Sequence, residues 1–241
     1  MDVMDPLTIA LIVAISLILS AIAWKTGMLT YDGAIAAFIV LAAIGLMGHF
    51  YWLLMLVLFA AIGFLATKVA FSEKKDEGIQ EGNDGERGWK NILGVALAPV
   101  IVAILNFAFP GHYDAMAVAY IATVAVAASD TVASEIGVKD PKVWLITTFK
   151  RVKAGDNGGV SLFGSVISFA ASLAISLLGW IILFQDLSWL FLIPALAGMF
   201  GNLLDSVLGA TVEDRYISKF TNNFITGICG GALAAIIFIQ F

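Results

Sequence analysis

Carboxylates in apolar surroundings are the first residues to question in this chain. Asp130 and Glu135 stand in Ser129-Asp-Thr-Val-Ala-Ser-Glu-Ile-Gly137, and Asp205 and Glu213 in Gly201-Asn-Leu-Leu-Asp-Ser-Val-Leu-Gly-Ala-Thr-Val-Glu213. Each motif continues a long apolar run, where an ionised side chain costs several kcal/mol unless it is paired, hydrated or bound to a metal. On a helix Asp130 and Ser134 are four apart, and Asn202, Asp205, Ser206, Gly209 and Glu213 recur at steps of three or four, so each set lines one face. Two segments thus offer oxygen ligands to a shared interior, and Thr221-Asn-Asn-Phe224 brings Asn222 and Asn223 towards the same side. With neither His nor Cys nearby, Asp130, Asp205, Glu135 and Glu213 suit Mg²⁺ or Mn²⁺ rather than Zn²⁺. The competing reading has Asp130 and Asp205 pairing with a cation or capping a neighbour, and Glu135 and Glu213, close to the interface, simply solvated.

The charge that would complement these carboxylates lies between the two motifs. Lys150-Arg-Val-Lys-Ala-Gly-Asp-Asn-Gly-Gly-Val-Ser161 is a basic cluster of Lys150, Arg151 and Lys153 followed by the turn Gly155, Asp156, Asn157, Gly158 and Gly159. Backbone N–H groups freed by glycine, a helix dipole starting at Ser161 and adjacent cations together make a phosphate cradle. The G-x-x-x-x-G-K-[ST] order of a Walker A loop is absent. Taken alone, a basic loop is what membrane topology demands, and Ser161 serves as a helix cap. Beside two intramembrane aspartates it favours phosphate chemistry. Arg87, Lys90 and Asn91 stand at the predicted membrane edge and join the candidates.

These groups need a scaffold, and the composition names it. Of 241 residues, 61% are hydrophobic and 13% charged, against roughly 45–50% and about 25% in soluble domains, and the mean hydropathy is +0.97. The expected fold is all-α: a polytopic membrane bundle of about eight helices, at 6–24, 32–47, 51–71, 91–109, 114–136, 161–184, 188–211 and 222–241, forming a single integral membrane domain over 1–241. Continuous apolar runs favour helices over barrel strands. All thirteen Lys and Arg residues fall on one side, twelve between alternate pairs of segments and Lys68 at the adjoining end of 51–71, so the positive-inside rule places loops 72–90 and 137–160 in the cytoplasm and both termini outside. Residues 73–86 read as a solvated linker. The N-terminus lacks a cleavable-signal pattern, and the first segment is expected to stay as a helix.

Other residues read as structural. A net charge of −5 argues against a nucleic-acid partner, and the lone Cys229 permits no internal disulfide. His49 and His112 lie on the side away from the carboxylates. Trp24, Trp52, Trp144 and Trp189 fit an interfacial belt, and Gly198, Gly201, Gly230 and Gly231 fit close helix packing. A shared [ST]-x-x-G-[AS] pattern at Thr30 and Ser161 is matched equally by duplication and by ordinary small-residue usage in membrane helices.

Ala128-Ser-Asp-Thr-Val-Ala-Ser-Glu-Ile-Gly137, Gly155-Asp-Asn-Gly-Gly-Val-Ser161, Gly201-Asn-Leu-Leu-Asp-Ser-Val-Leu-Gly-Ala210 and Asn222-Asn223 resemble the ordered motifs of the phytyl-phosphate kinase and transmembrane-protein-nineteen-like family of integral membrane proteins. Thr67-Lys68, Arg87 with Asn91, and Asp32-Gly-Ala-Ile-Ala-Ala37 extend the resemblance over most of the chain. Ala154 and Asp156 stand where that family usually has proline and threonine, positions that bear on nucleotide preference. The resemblance implies phosphoryl transfer from a nucleoside triphosphate, CTP favoured, to an isoprenoid monophosphate in the cell membrane, at a site facing the cytoplasm. In that reading Asp130 and Asp205 hold Mg²⁺, Lys153 acts in catalysis, and Arg87, Lys90, Lys150 and Arg151 hold phosphates, with Asn91, Ser134, Asn202, Asn222 and Asn223 completing the substrate contacts. A secondary transporter would also place carboxylates and glycine-broken helices at membrane depth. Another membrane lipid phosphotransferase, such as a prenol kinase or cytidylyltransferase, would share the metal and nucleotide logic.

Overall fold

In the computed structural model, which describes residues 4–69, 71–76, 78, 82 and 84–241, caps and breakers divide the apolar sequence into helices. Asp5 accepts a hydrogen bond from Thr8 N and, with Pro6 in the first turn, opens α1 (Pro6–Lys25). Thr30 caps α2 (Tyr31–Met47), Gly48 ends it, and α3 (Phe50–Val69) and the short α4 (Phe71–Asp76) follow. Next come α5 (Trp89–Ala108) and α6 (Tyr113–Ile136). Ser161 caps α7 (Leu162–Phe184), a single 3₁₀ turn precedes α8 (Leu192–Thr211), and Ser218 caps α9 (Lys219–Phe238). Helices α5 and α9 begin earlier than their apolar runs predict, because Gly88 and Ser218 set the ends rather than the first apolar residue. Seven of these helices are at least 18 residues long and apolar enough to cross a membrane; α2, with 17 residues, is shorter.

The axis of the bundle is α6, with 83% of its apolar stretch buried, against 17% for α1. It packs on α3, α5, α7, α8 and α9. Small residues make this possible: Gly198 lies against Ala125, Gly201 and Gly230 against Val126, and Gly231 against Thr123, so a Cβ at any of them would collide with α6. By contrast α1 turns Leu7, Leu11, Leu17 and Ile18 outward, as a lipid-facing helix does.

One end of the bundle carries the basic loops, and hydrogen bonds tie them together. Thr30 N donates to Arg87 O (3.2 Å) and Arg87 N to Met28 O (3.0 Å), which joins the α1–α2 turn to the approach of α5. Lys139 Nζ donates to Val69 O (3.0 Å), and Asn157 Nδ2 to Asp214 Oδ2 (2.7 Å). The loop over 137–160 is more than a turn. β1 (Val143–Leu145) is the centre of a small antiparallel sheet, flanked by β2 (Arg151–Val152) and β3 (Gly159–Val160).

Two expectations need correction. Residues 73–86 are not simply a solvated linker, since Lys74 is buried and ion-paired; positions 77, 79–81 and 83 of that stretch lie outside the described residues. Trp52 is not in an interfacial belt but fully buried and stacked on Tyr120 (centroids 4.4 Å), and Trp144 lies in β1 beneath Arg151. Trp24 and Trp189 are exposed.

Candidate active site

Helical spacing brings the two aspartate motifs face to face. A cavity of about 210 Å³ at the basic end is lined by Asp130 and Ser134 from α6 and by Asn202, Asp205, Ser206 and Gly209 from α8, with Glu213 just beyond. Asp205 lies within electrostatic reach of Asp130, Glu213 and Lys219, and its Oδ2 is buried without a hydrogen-bond partner. Asn202 Nδ2 donates to Ser168 Oγ (2.7 Å), which also meets Ser129 Oγ (2.6 Å), so a buried polar chain fixes α6, α7 and α8 beside the carboxylates. Glu213 is held by Asn222 Nδ2 at 2.6 Å, and the same amide reaches Asp205 O at 3.2 Å. Asn222 is therefore a bracket between α8 and α9 rather than part of the cavity wall.

The glycine-rich loop closes the cavity from the other side, with residues 154–161 all in its lining. Its internal bonding differs from a bare phosphate cradle. Gly159 N donates to Asp156 O (2.9 Å), so that N–H is already used. Asp156 Oδ2 accepts from Lys153 N (2.9 Å), and Ser161 Oγ from Gly164 N (2.9 Å), which makes one a turn stabiliser and the other a helix cap. Gly158 has φ +75°, and a Cβ there would stand 2.7 Å from both Cα and N of Ala210. Gly158→Ala is thus expected to lift the loop off α8 at a cost of about 1–3 kcal/mol. Tryptic cleavage at Lys153 should then accelerate at least severalfold; cleavage at the wild-type rate would show that the docking is not needed.

The cations are rearranged relative to expectation. Lys150, Arg151 and Lys153 do not line the cavity: all three are exposed, and Arg151 stacks on Trp144 at 5.0 Å because β-pairing turns it away from α8. The cations that do line it are Lys74 and Lys219. Lys219 was legible only as a topological charge, and Lys74 fell in the supposed linker.

A second cavity, about 460 Å³, adjoins the first and shares Asp130, Ser134 and Lys219 with it. Arg87, Trp89, Lys90, Asn91 and Asn223 complete much of its wall. Lys90 Nζ lies 5.8 Å over the Trp89 ring. Glu135 also faces this cavity, but as the centre of an ion triad: its Oε2 meets Lys74 Nζ at 2.9 Å and its Oε1 meets Arg87 at 3.2 Å. The same Arg87 nitrogen also reaches Thr67 Oγ1 at 3.4 Å. Glu135 is therefore corrected from metal ligand to structural anchor, and Arg87 from phosphate holder to its partner, because a buried carboxylate demands this neutralisation.

Among the described residues, no group of three or more His, Cys, Asp and Glu side chains is placed to cage a metal ion. Mg²⁺ needs no such cage. It is commonly held by one or two carboxylates, with water and substrate phosphates supplying the other ligands. The partnerless Oδ2 of Asp205, facing Asp130 in an oxygen-rich cavity, fits that mode of binding.

A helical multi-pass bundle with carboxylates, lysines and a glycine-rich loop gathered at one end defines a polytopic membrane protein with polar cavities at that end. The chain belongs to the family described as integral membrane protein DUF92, whose model matches residues 14–235. It is 35% identical to an uncharacterized membrane protein of Methanocaldococcus jannaschii, over 78% of this chain and 77% of that one. It is 34% identical to Protein PGR of Arabidopsis thaliana, covering 83% of this chain and 77% of the relative. It is also 30% identical to the chloroplastic Protein VTE6 of Arabidopsis thaliana, over 83% of this chain and 64% of that protein. No solved structure matches significantly.

Proposed function

We propose that the protein is an isoprenoid monophosphate kinase that uses a nucleoside triphosphate, CTP by preference, to make a prenyl diphosphate. The observation that carries this reading is the pair of adjoining cavities that meet at Asp130, Ser134 and Lys219, an arrangement suited to two phosphate-bearing substrates. The motif resemblance supplies the substrate classes.

In this reading an oxygen of the acceptor monophosphate attacks the γ-phosphorus of the triphosphate. The bond to the β–γ bridging oxygen breaks, and the nucleoside diphosphate leaves. No general base is required, since the acceptor is already anionic. Catalysis is positioning and neutralisation of charge. Asp130 and Asp205 would hold Mg²⁺, which offsets the negative charge of both phosphates. Lys219 stands where the two cavities meet and balances charge on either side, Lys90 with Asn91 and Asn223 orients the acceptor phosphate, and the 154–161 loop shields the triphosphate from water.

Calorimetry with Mg²⁺ and CTP tests the assignment of cations. A desolvated charge-assisted hydrogen bond is worth about 1.5–3 kcal/mol, so Lys219→Ala should weaken binding at least about tenfold. The exposed Lys153 should matter by no more than about fivefold. Failure of the wild-type protein to bind any of the four nucleoside triphosphates would favour the transporter reading.

We further propose eight crossings, with the basic end in the cytoplasm of a cell whose plasma membrane holds the protein. Single cysteines at 142, 155 and 112 in a Cys229→Ser background should divide in labelling: the first two react from the cytoplasmic side, the third from outside. Labelling of 142 and 112 from one face would overturn this topology.

A further inference from the structure

Beside the two polar cavities the bundle holds an apolar one, about 250 Å³ in volume, between α1, α2, α3 and α5. Its walls are hydrocarbon: Leu19, Val40, Leu41, Leu56, Phe59 and Ile92 supply much of the surface. Its position follows from helix packing, since α3 packs chiefly on α6 and α2, and α5 on α2, α9 and α6, rather than on each other. A hollow of this size between helices leaves dispersion contacts to be made by an apolar guest and is too apolar to be filled by ordered water. It also opens sideways, because Ile22 and the lining residues Ala60 and Ala61 are exposed on the lipid-facing side of α1 and α3.

At the basic end this chamber is continuous with the polar site. Arg87, Asn91 and Val95 line both the apolar cavity and the second polar cavity, which in turn shares Asp130 with the carboxylate cavity. Hydrocarbon walls, a cationic mouth and a carboxylate-lined cavity thus follow one another in series. An amphiphile with one anionic head and an apolar chain matches this order, and a soluble phosphate does not.

We propose that the α1–α2–α3–α5 chamber is the acceptor-chain site: it takes the first isoprene units of a prenyl monophosphate entering from the bilayer, while the phosphate rests in the second cavity near Lys90 and Asn91. The assignment rests on the kinase reading for the identity of the head group. Ala37 and Ala60 are small residues of the chamber lining and act as its gauge.

The test is photolabelling of the whole protein in phosphatidylcholine nanodiscs, without nucleotide. The probe is a geranylgeranyl monophosphate analogue with a diazirine on its second isoprene unit. Adducts are expected on 19–23, 37–41 and 56–64. Unlabelled geranylgeranyl monophosphate should compete at least tenfold better than dioleoyl phosphatidic acid. Ala37→Phe and Ala60→Phe should each cut labelling severalfold while Mg²⁺–CTP binding is unchanged. Adducts confined to α7, α8 and α9, or equal competition by phosphatidic acid, would overturn the chain site even if diphosphate is formed. Labelled chamber residues in a protein that phosphorylates nothing would uphold the chain site and overturn the kinase reading.

Discussion

Asn in place of Asp205 or Asp130 is expected to lower turnover of geranylgeranyl monophosphate at least about a hundredfold, equivalent to roughly 2.7 kcal/mol of transition-state stabilisation, without unfolding the protein. Asp205 Oδ2 has no hydrogen bond to lose, and the carboxyl group lies near Asp130 and Glu213. Asn keeps the shape of the side chain and gives up no hydrogen bond at that atom, so the Asp205→Asn protein should melt no lower than wild type in the absence of Mg²⁺. It should also lose the stabilisation that Mg²⁺ with CTP confers on wild type. Turnover within a factor of three of wild type in either variant would remove the pair from the catalytic site.

Glu135→Ala should show the opposite pattern. Its carboxylate is 2% exposed and neutralises Lys74, whose side chain is 7% exposed, and Arg87. Removing one partner of a buried pair costs about 3–5 kcal/mol because the remaining charge has no water to turn to. For a chain of this size that is a fall in melting temperature of roughly 6–20 °C. Lys74→Ala should behave alike. The exposed pair of Lys75 with Asp84, at 3.4 Å, is a built-in control, and Lys75→Ala should change stability by no more than about 1 kcal/mol. A Glu135→Ala protein that melts with wild type would mean that the triad does not hold α4, α6 and the 85–88 stretch together.

The contrast between these two carboxylates explains what was readable in advance. Asp130 and Ser134 are separated by about one helical turn and share a face, as do Asn202, Asp205 and Ser206 to within a turn. Periodicity alone therefore pointed both sets at one interior, and they line one cavity. Glu135 lies five residues after Asp130, about 140° around the helix. It meets α4 and the 85–88 stretch instead, where its partner Lys74 comes from 61 positions away in the chain. No local pattern marks such a partner, so the sequence alone does not separate Glu135 from the cavity carboxylates.

The basic loop failed for a different reason. The sequence shows Lys150, Arg151 and Lys153 as a basic cluster beside a turn, but pairing of β2 with β1 sets the direction of Arg151 and lays it over Trp144. Likewise, two adjacent glycines looked like two free N–H donors. One of them, Gly159, closes its own turn, and Gly158 is there to let the loop touch Ala210. Hydrophobic runs located the helices well because in a bilayer hydrocarbon length and backbone satisfaction leave few alternatives. Their ends were set by caps at Asp5, Thr30, Ser161 and Ser218, which had to be read residue by residue.

Incubation of the purified protein in nanodiscs with Mg²⁺, geranylgeranyl or phytyl monophosphate, and γ-³²P-labelled CTP, ATP, GTP or UTP in parallel bears most directly on the proposed activity. Label should move to the lipid as prenyl diphosphate, fastest with CTP, and the transfer should vanish with EDTA and fall at least about a hundredfold in Asp205→Asn. Absence of labelled diphosphate with every nucleotide and both acceptors, from protein that remains folded and binds Mg²⁺, would contradict it.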